Sequence, residues 1–106
     1  RHDTVIVPLT GSMTSDRAEQ LISSVLKHIE TNRIRTTILD VTGVPVVDTH
    51  VGQVILRTAD AARLMGSRTV LVGIRPEVAQ TLVSLGINLD ELQPASTLQT
   101  ALERVA

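Results

Sequence analysis

Apolar residues in this chain follow two alternating rhythms. Short β-branched runs recur at Val5–Leu9 (VIVPL), Thr36–Val41 (TTILDV) and Thr69–Ile74 (TVLVGI), each with the length and residue types of a buried strand. Between them the spacing changes to 3.6 residues. Ala18, Leu21, Ile22, Val25, Leu26 and Ile29 form one stripe, and Val51, Val54, Ile55, Ala59, Ala62 and Met65 form a second. Val78, Leu82, Val83 and Leu85 form a shorter third, and Leu98, Ala101, Leu102 and Val105 a fourth. Each stripe predicts a helix with one apolar face.

Punctuation between the runs agrees with this division. Thr14 or Ser15 can cap the first helix, with Asp16 in its first turn, and Thr31-Asn32 ends it. Pro8 near the end of the first strand predicts an edge position or an early exit. Gly43-Val44-Pro45 breaks the second strand and Val46-Val47 adds a brief extended piece. Asp48-Thr49 then opens the second helix, which Gly66 stops. Arg75-Pro76-Glu77 opens the third helix with Pro in its first turn, and Gly86 stops it. Asn88 to Gln93 is a link with room for a small strand, and Thr97 to Val105 is the final helix. Strand–helix alternation of this kind predicts an α/β domain with a mostly parallel sheet and crossover helices.

Composition narrows the function. The 106 residues suit one domain, and 42% hydrophobic against 20% charged residues is a globular balance. There is no Phe, Tyr or Trp, so the chain lacks the rings on which single-stranded nucleic acids stack. A net charge of −1 gives no basic field for DNA or anionic lipid, so neither nucleic acid nor membrane is an expected partner. Without cysteine, disulfides, thiolate catalysis and cysteine-based zinc sites are excluded. No apolar run approaches the roughly 20 residues of a membrane span. The chain opens on Arg1, which reads as a processed chain or, preferably, as part of a longer one.

Enzyme motifs are missing: the sequence has no G-x-S-x-G elbow, no Walker A loop and no G-x-G-x-x-G after a strand. His2, His28 and His50 form no H-x-x-x-H pair, so neither a metal site nor a cofactor is expected. His28 reads as a solvated helix residue, and His50 as a surface residue or a partner contact. Asp40 is expected to anchor a loop and Asp48 to help cap a helix. What remains is a hydroxyl at two helix starts, Ser15 and Thr49. Either is a plain cap or a phosphoacceptor. A phosphate there would meet free N–H groups and the positive end of the helix dipole, so the fold should survive while the surface turns acidic.

The segment Ile38–Val51, ILDVTGVPVVDTHV, resembles the centre of STAS domains, as found in anti-sigma-factor antagonists and stressosome proteins. Two further stretches, AARLMG at Ala61–Gly66 and VLVGIRPEVAQTLVSLGINL at Val70–Leu89, are similar to the RsbR-type stressosome branch. The resemblance covers nearly the whole chain. It implies a STAS fold: a four- to five-stranded mixed, mostly parallel sheet, with about four helices packed mainly on one face. The first strand would be antiparallel to part of the rest. It also implies a single STAS domain over residues 1–106, of the kind that follows an N-terminal sensory domain.

The function so implied is regulatory and not enzymatic. RsbR-like domains co-assemble with an RsbS-type STAS partner into a large cytoplasmic complex holding an RsbT-type serine/threonine kinase, so homo-oligomers are expected as well. Stress leads that kinase to phosphorylate the STAS domains and leave, which starts a sigma-factor or other stress-response cascade. Carried onto this chain, the family's phosphoacceptors fall on Thr49 and, by ungapped offset, on Ser15, with Thr14 beside it. Ser15 stands where the family usually has Thr. Asp48, His50 and Arg75 become candidate partner contacts, while Gly73 and Pro76 serve the turn and Thr42 and Thr81 are structural. Two other readings remain. One is a free-standing anti-sigma-factor antagonist, although Asp48-Thr49-His50-Val51-Gly52 departs from the D-S-[ST]-G-L of such proteins. The other is a small-ligand or nucleotide-binding module holding phosphate at the same helix starts.

Overall fold

The run TTILDV supplies the middle strand of the sheet, where both faces are covered and Thr36, Thr37, Ile38 and Leu39 are buried in succession. In this computed structural model, which describes residues 3–9, 14–44 and 49–86 together with Leu102, six elements follow one another. They are β1 (Thr4–Pro8), α1 (Ser15–Asn32), β2 (Thr36–Asp40), α2 (Thr49–Leu64), β3 (Arg68–Val72) and α3 (Pro76–Ser84). The sheet order is β1-β2-β3. The first strand starts and ends one residue earlier than the apolar run suggests. β3 stops at Val72 rather than Ile74, because Gly73 turns the chain at φ +82°.

Both pairings are parallel and in step, with Thr4, Thr36 and Arg68 in one row and Pro8, Asp40 and Val72 in another. The antiparallel pairing that the resemblance implies for the first strand is not among them. Helix α1, 18 residues long, joins β1 to β2. A crossover of that kind returns the chain to the same end of the sheet, whereas an antiparallel neighbour needs only a hairpin. The further strand and helix of the expected fold fall on residues outside the described ones. So do the link at Asn88–Gln93 and the final helix, apart from Leu102, which is helical and 36% exposed rather than turned inward.

Alternation along each strand divides the core. Val7, Leu39, Val41 and Leu71 face α1 and α2 and join Val25, Ile29, Val51, Ile55 and Ala62 in the main cluster. Ile38, Val70 and Val72 point to the other face and are also buried. Helix α3 contributes Val78 and Leu82 to the main cluster, but Val83 is exposed. A nine-residue helix presents a narrow apolar face, and residues four apart share it while the next residue turns about 100° away. Met65 likewise leaves the apolar stripe, since α2 ends at Leu64 and the chain is already turning toward Gly66.

Polar links also join neighbouring elements. On the sheet, Thr37 Oγ1 and Ser67 Oγ share a buried hydrogen bond of 2.8 Å. Between the helices, Glu19 and Arg57 form an exposed ion pair at 2.7 Å, and the hydrogen bond and charge of Arg57 hold the Glu19 carboxyl below its ordinary value.

Ser67→Ala should destabilise the chain by about 1–3 kcal/mol, because it strands the Thr37 hydroxyl. Adding Thr37→Val should recover part of that loss, as a urea-denaturation double-mutant cycle would show. The Glu19 carboxyl is lowered on folding, so its contribution is present above the ordinary glutamate range and fades as pH falls through the lowered value. An NMR titration of Glu19 should therefore move up in Arg57→Gln.

Candidate functional site

Each β–α connection leaves the carboxyl end of a strand, so parallel topology brings the starts of α1, α2 and α3 to one edge of the sheet. In open parallel sheets this is the edge where function collects. Ser15 and Thr49 are the first residues of α1 and α2, and both are exposed. Neither hydroxyl has a hydrogen-bond partner among the described residues.

The structure separates capping from candidate chemistry at α1. Thr14 is the cap: its backbone is extended (φ −75°, ψ 162°) and its Oγ1 accepts the Arg17 N–H at 3.3 Å. Ser15 lies one position further in, with its hydroxyl unengaged. At α2, His50 follows Thr49 and is exposed as well. Asp48, expected as a cap and partner contact, lies outside the described residues. His28, which the sequence places in solvent, is exposed on α1, with Asn32 Nδ2 3.2 Å from its Nδ1.

The loop that begins the approach to Thr49 is held closely. Asp40 Oδ1 accepts the Thr42 N–H at 2.9 Å, the loop-anchoring role expected of that carboxylate. Val41 N–H bonds to the Val72 carbonyl at 2.9 Å, and Val44 N–H to the Val41 carbonyl at 3.0 Å. Gly73 packs directly on this loop. A Cβ there would overlap the Thr42 hydroxyl and lie 2.8 Å from the Thr42 backbone nitrogen.

Arg75 closes the site from the α3 side. It occupies the cap position of α3 in extended conformation (φ −92°, ψ 160°) and makes no side-chain cap bond. Its Nη2 donates instead to the Val44 carbonyl. Its Nε has no hydrogen-bond partner and stands 3.6 Å from Glu77 Oε1. Arg75, singled out in the sequence as a partner contact, thus already has an internal role tying two loops together. The sequence carries no signal for this bond, since its acceptor is a backbone carbonyl 31 residues away. Thr81 is structural as expected, its hydroxyl donating to the Glu77 carbonyl at 3.0 Å.

A cleft of about 360 Å³ opens elsewhere, between the end of α1 and the turn after α2, lined by Ile29, Arg33, Arg35, Met65 and Gly66 among others. It borders the amino end of the strands, the edge opposite Ser15 and Thr49. Among the described residues, no helix is long and apolar enough to cross a membrane.

A family model described as the STAS domain matches residues 1–101, and the chain belongs to that family. Several of its relatives are RsbT co-antagonist proteins. Over 98 residues it is 40% identical to the RsbT co-antagonist protein RsbRA of Bacillus subtilis (strain 168). The match takes in 92% of this chain but 36% of that protein's length. Among solved structures, a variant of RsbS from Moorella thermoacetica superposes with a TM-score of 0.88 at 28% identity, covering 97% of this chain and 90% of that one. A chain from a structure titled as the molecular architecture of the stressosome, a signal integration and transduction hub, gives the same TM-score, identity and coverage.

Gly73→Ala should destabilise the chain by more than about 1 kcal/mol, since a left-handed backbone and a close approach are both lost. Thermal denaturation checks this, and Thr42→Gly should not rescue it, because the backbone of residue 42 remains in the way.

Proposed function

We propose that the chain is a stressosome-type regulatory STAS domain, a scaffold switched by phosphorylation at Thr49 and Ser15. In this reading it binds further copies of itself, an RsbS-type STAS protein and an RsbT-type serine/threonine kinase in the cytoplasm, within a general stress-response or sigma-factor cascade. It is a substrate and platform for the kinase, not a catalyst. The likeness to a protein named as an RsbT co-antagonist and to a stressosome component supports the setting. A longer chain with a sensory domain ahead of this one fits the same reading.

The observation that carries the switch is the position of Thr49. Its hydroxyl is exposed at the first residue of a 16-residue helix, within the segment most like the family's centre. A phosphate at that position lies at the positive end of the helix dipole. It adds about 1.5–2 negative charges to the surface without entering the core. Ser15 has the same setting on α1, and because Thr14 is already used as the cap, Ser15 is the better second acceptor. Asp48 and His50 flank Thr49 and serve as partner contacts in this reading.

Incubation with ATP and an RsbT-type kinase, followed by mass spectrometry, should add phosphate to the parent chain. Thr49→Ala should lose one site and Ser15→Ala the other, while the thermal midpoint of the phosphorylated chain stays close to that of the unmodified one. If the parent gains no phosphate while the kinase modifies another STAS protein, the switch is excluded.

A further inference from the structure

We propose that the cleft at the amino edge of the sheet docks a short acidic segment of a partner protein, with its carboxylates on Arg33 and Arg35 and an apolar side chain against Ile29, Ile34 and Met65. The site lies at the edge opposite Ser15 and Thr49 and stands apart from the reading of those hydroxyls.

Arg33 goes against the ordinary preference of its position. Among the described residues it is the non-glycine residue with a positive φ, 53°. It stands where α1 ends, and its N–H closes back on the Ile29 carbonyl. Glycine or asparagine fills such left-handed positions at least cost, because other residues bring Cβ against the backbone. Here a guanidinium is carried there instead, on a residue that lines the cleft. A side chain held at a backbone cost points to a task for that side chain. Arg35 is fixed from both sides: its N–H bonds to the Asp3 carbonyl at 2.8 Å, and its carbonyl accepts the Arg68 N–H at 2.9 Å. Among the described residues, neither the Arg33 nor the Arg35 guanidinium has a hydrogen-bond or ion-pair partner.

The lining selects the occupant. Both guanidinium groups are set against a single carboxylate, Glu30, so the cleft keeps a positive balance. Its apolar side chains are Ile29 and Ile34, both buried, and Met65, 40% exposed. Leu64, just before Met65, is 89% exposed. A free phosphate would meet the arginines but leave the apolar wall uncovered, and about 360 Å³ is more than a small anion fills. A net charge of −1 and the absence of aromatic residues give nucleic acid neither the field nor the rings it uses. An acidic peptide with an apolar side chain uses both parts of the lining. Guanidinium–carboxylate pairs fix its orientation, and methionine adapts to apolar groups of different shape. Gly66 leaves the mouth open, since a Cβ added there would meet nothing within 4 Å.

Two acetylated hexapeptides serve as probes, one alternating Glu and Leu, the other Gln and Leu. Each is titrated into the chain while amide NMR shifts are followed. The Glu peptide should shift the Arg33, Ile34, Arg35 and Met65 amides to saturation, and the Gln peptide should not. Arg33→Gly should weaken the Glu peptide about tenfold, the factor of one hydrogen bond to a charged group. Its thermal midpoint should stay level or rise, because glycine relieves the left-handed turn. Arg35→Gln should weaken the peptide by a similar factor. No shift at the cleft amides overturns the proposal, and so does equal binding of the two peptides. A lower midpoint in Arg33→Gly with binding intact would mean that Arg33 serves only the negative end of the α1 dipole, which overturns its role in the cleft. Saturation of the same amides by inorganic phosphate at matching affinity would assign the cleft to a small anion. Self-association in sedimentation that is lost in Arg35→Gln would assign it to a second copy of the chain. Either result overturns the partner segment.

Discussion

The in-step parallel pairing of β2 with both of its neighbours is the constraint on which the rest of the molecule depends. Thr36, Thr37, Ile38 and Leu39 are all buried, so both faces of this strand are spoken for. A slip of one residue would exchange the Leu39 face with the Ile38 face and break the Thr37–Ser67 hydroxyl pair. With the register fixed, all three strands end at the same level. The chain then leaves the sheet at one edge each time and starts a helix there. Ser15, Thr49 and Arg75 share that edge because of pairing, not because of any contact among them.

Much of this was legible in the residues. β-branched runs marked all three strands to within two residues at each end, and the 3.6-residue stripes marked α1, α2 and α3. Asn32, Gly66 and Gly86 marked their ends through chemistry that acts locally. The misreadings share a cause: they concern what one element does to another. Val83 and Met65 look like core residues by type, but the short length of α3 and the end of α2 at Leu64 put them outside. The parallel pairing of β1 with β2 follows from the crossover through α1, and the antiparallel partner that the family likeness implies lies outside the described residues. The positions of Ser15 and Thr49 at helix starts were legible from the sequence. The Arg75–Val44 tie was not, because hydrogen bonds to backbone carbonyls leave no trace in residue identity.

At α1 two adjacent hydroxyls divide two tasks. Thr14 completes the helix by accepting an N–H, and Ser15 is left with its oxygen uncommitted. A modification at the cap itself would have to displace a bond the helix uses, whereas one position further in it adds to the unpaired donors without replacing anything. The fold thus places an exposed hydroxyl at the first residue of two helices on the same edge.

The contact between Gly73 and Thr42 also bears on how the sequence can drift. Position 73 needs a left-handed backbone and has no space for a Cβ, and the obstruction is partly the backbone of residue 42. No change of side chain at position 42 opens the way for a larger residue at 73. The two positions therefore cannot trade volume as core neighbours often do. Substitutions can alter the exposed surfaces of α2 and α3 around the junction, but this crossing point is a fixed vertex, and variation in those surfaces has to be built around it.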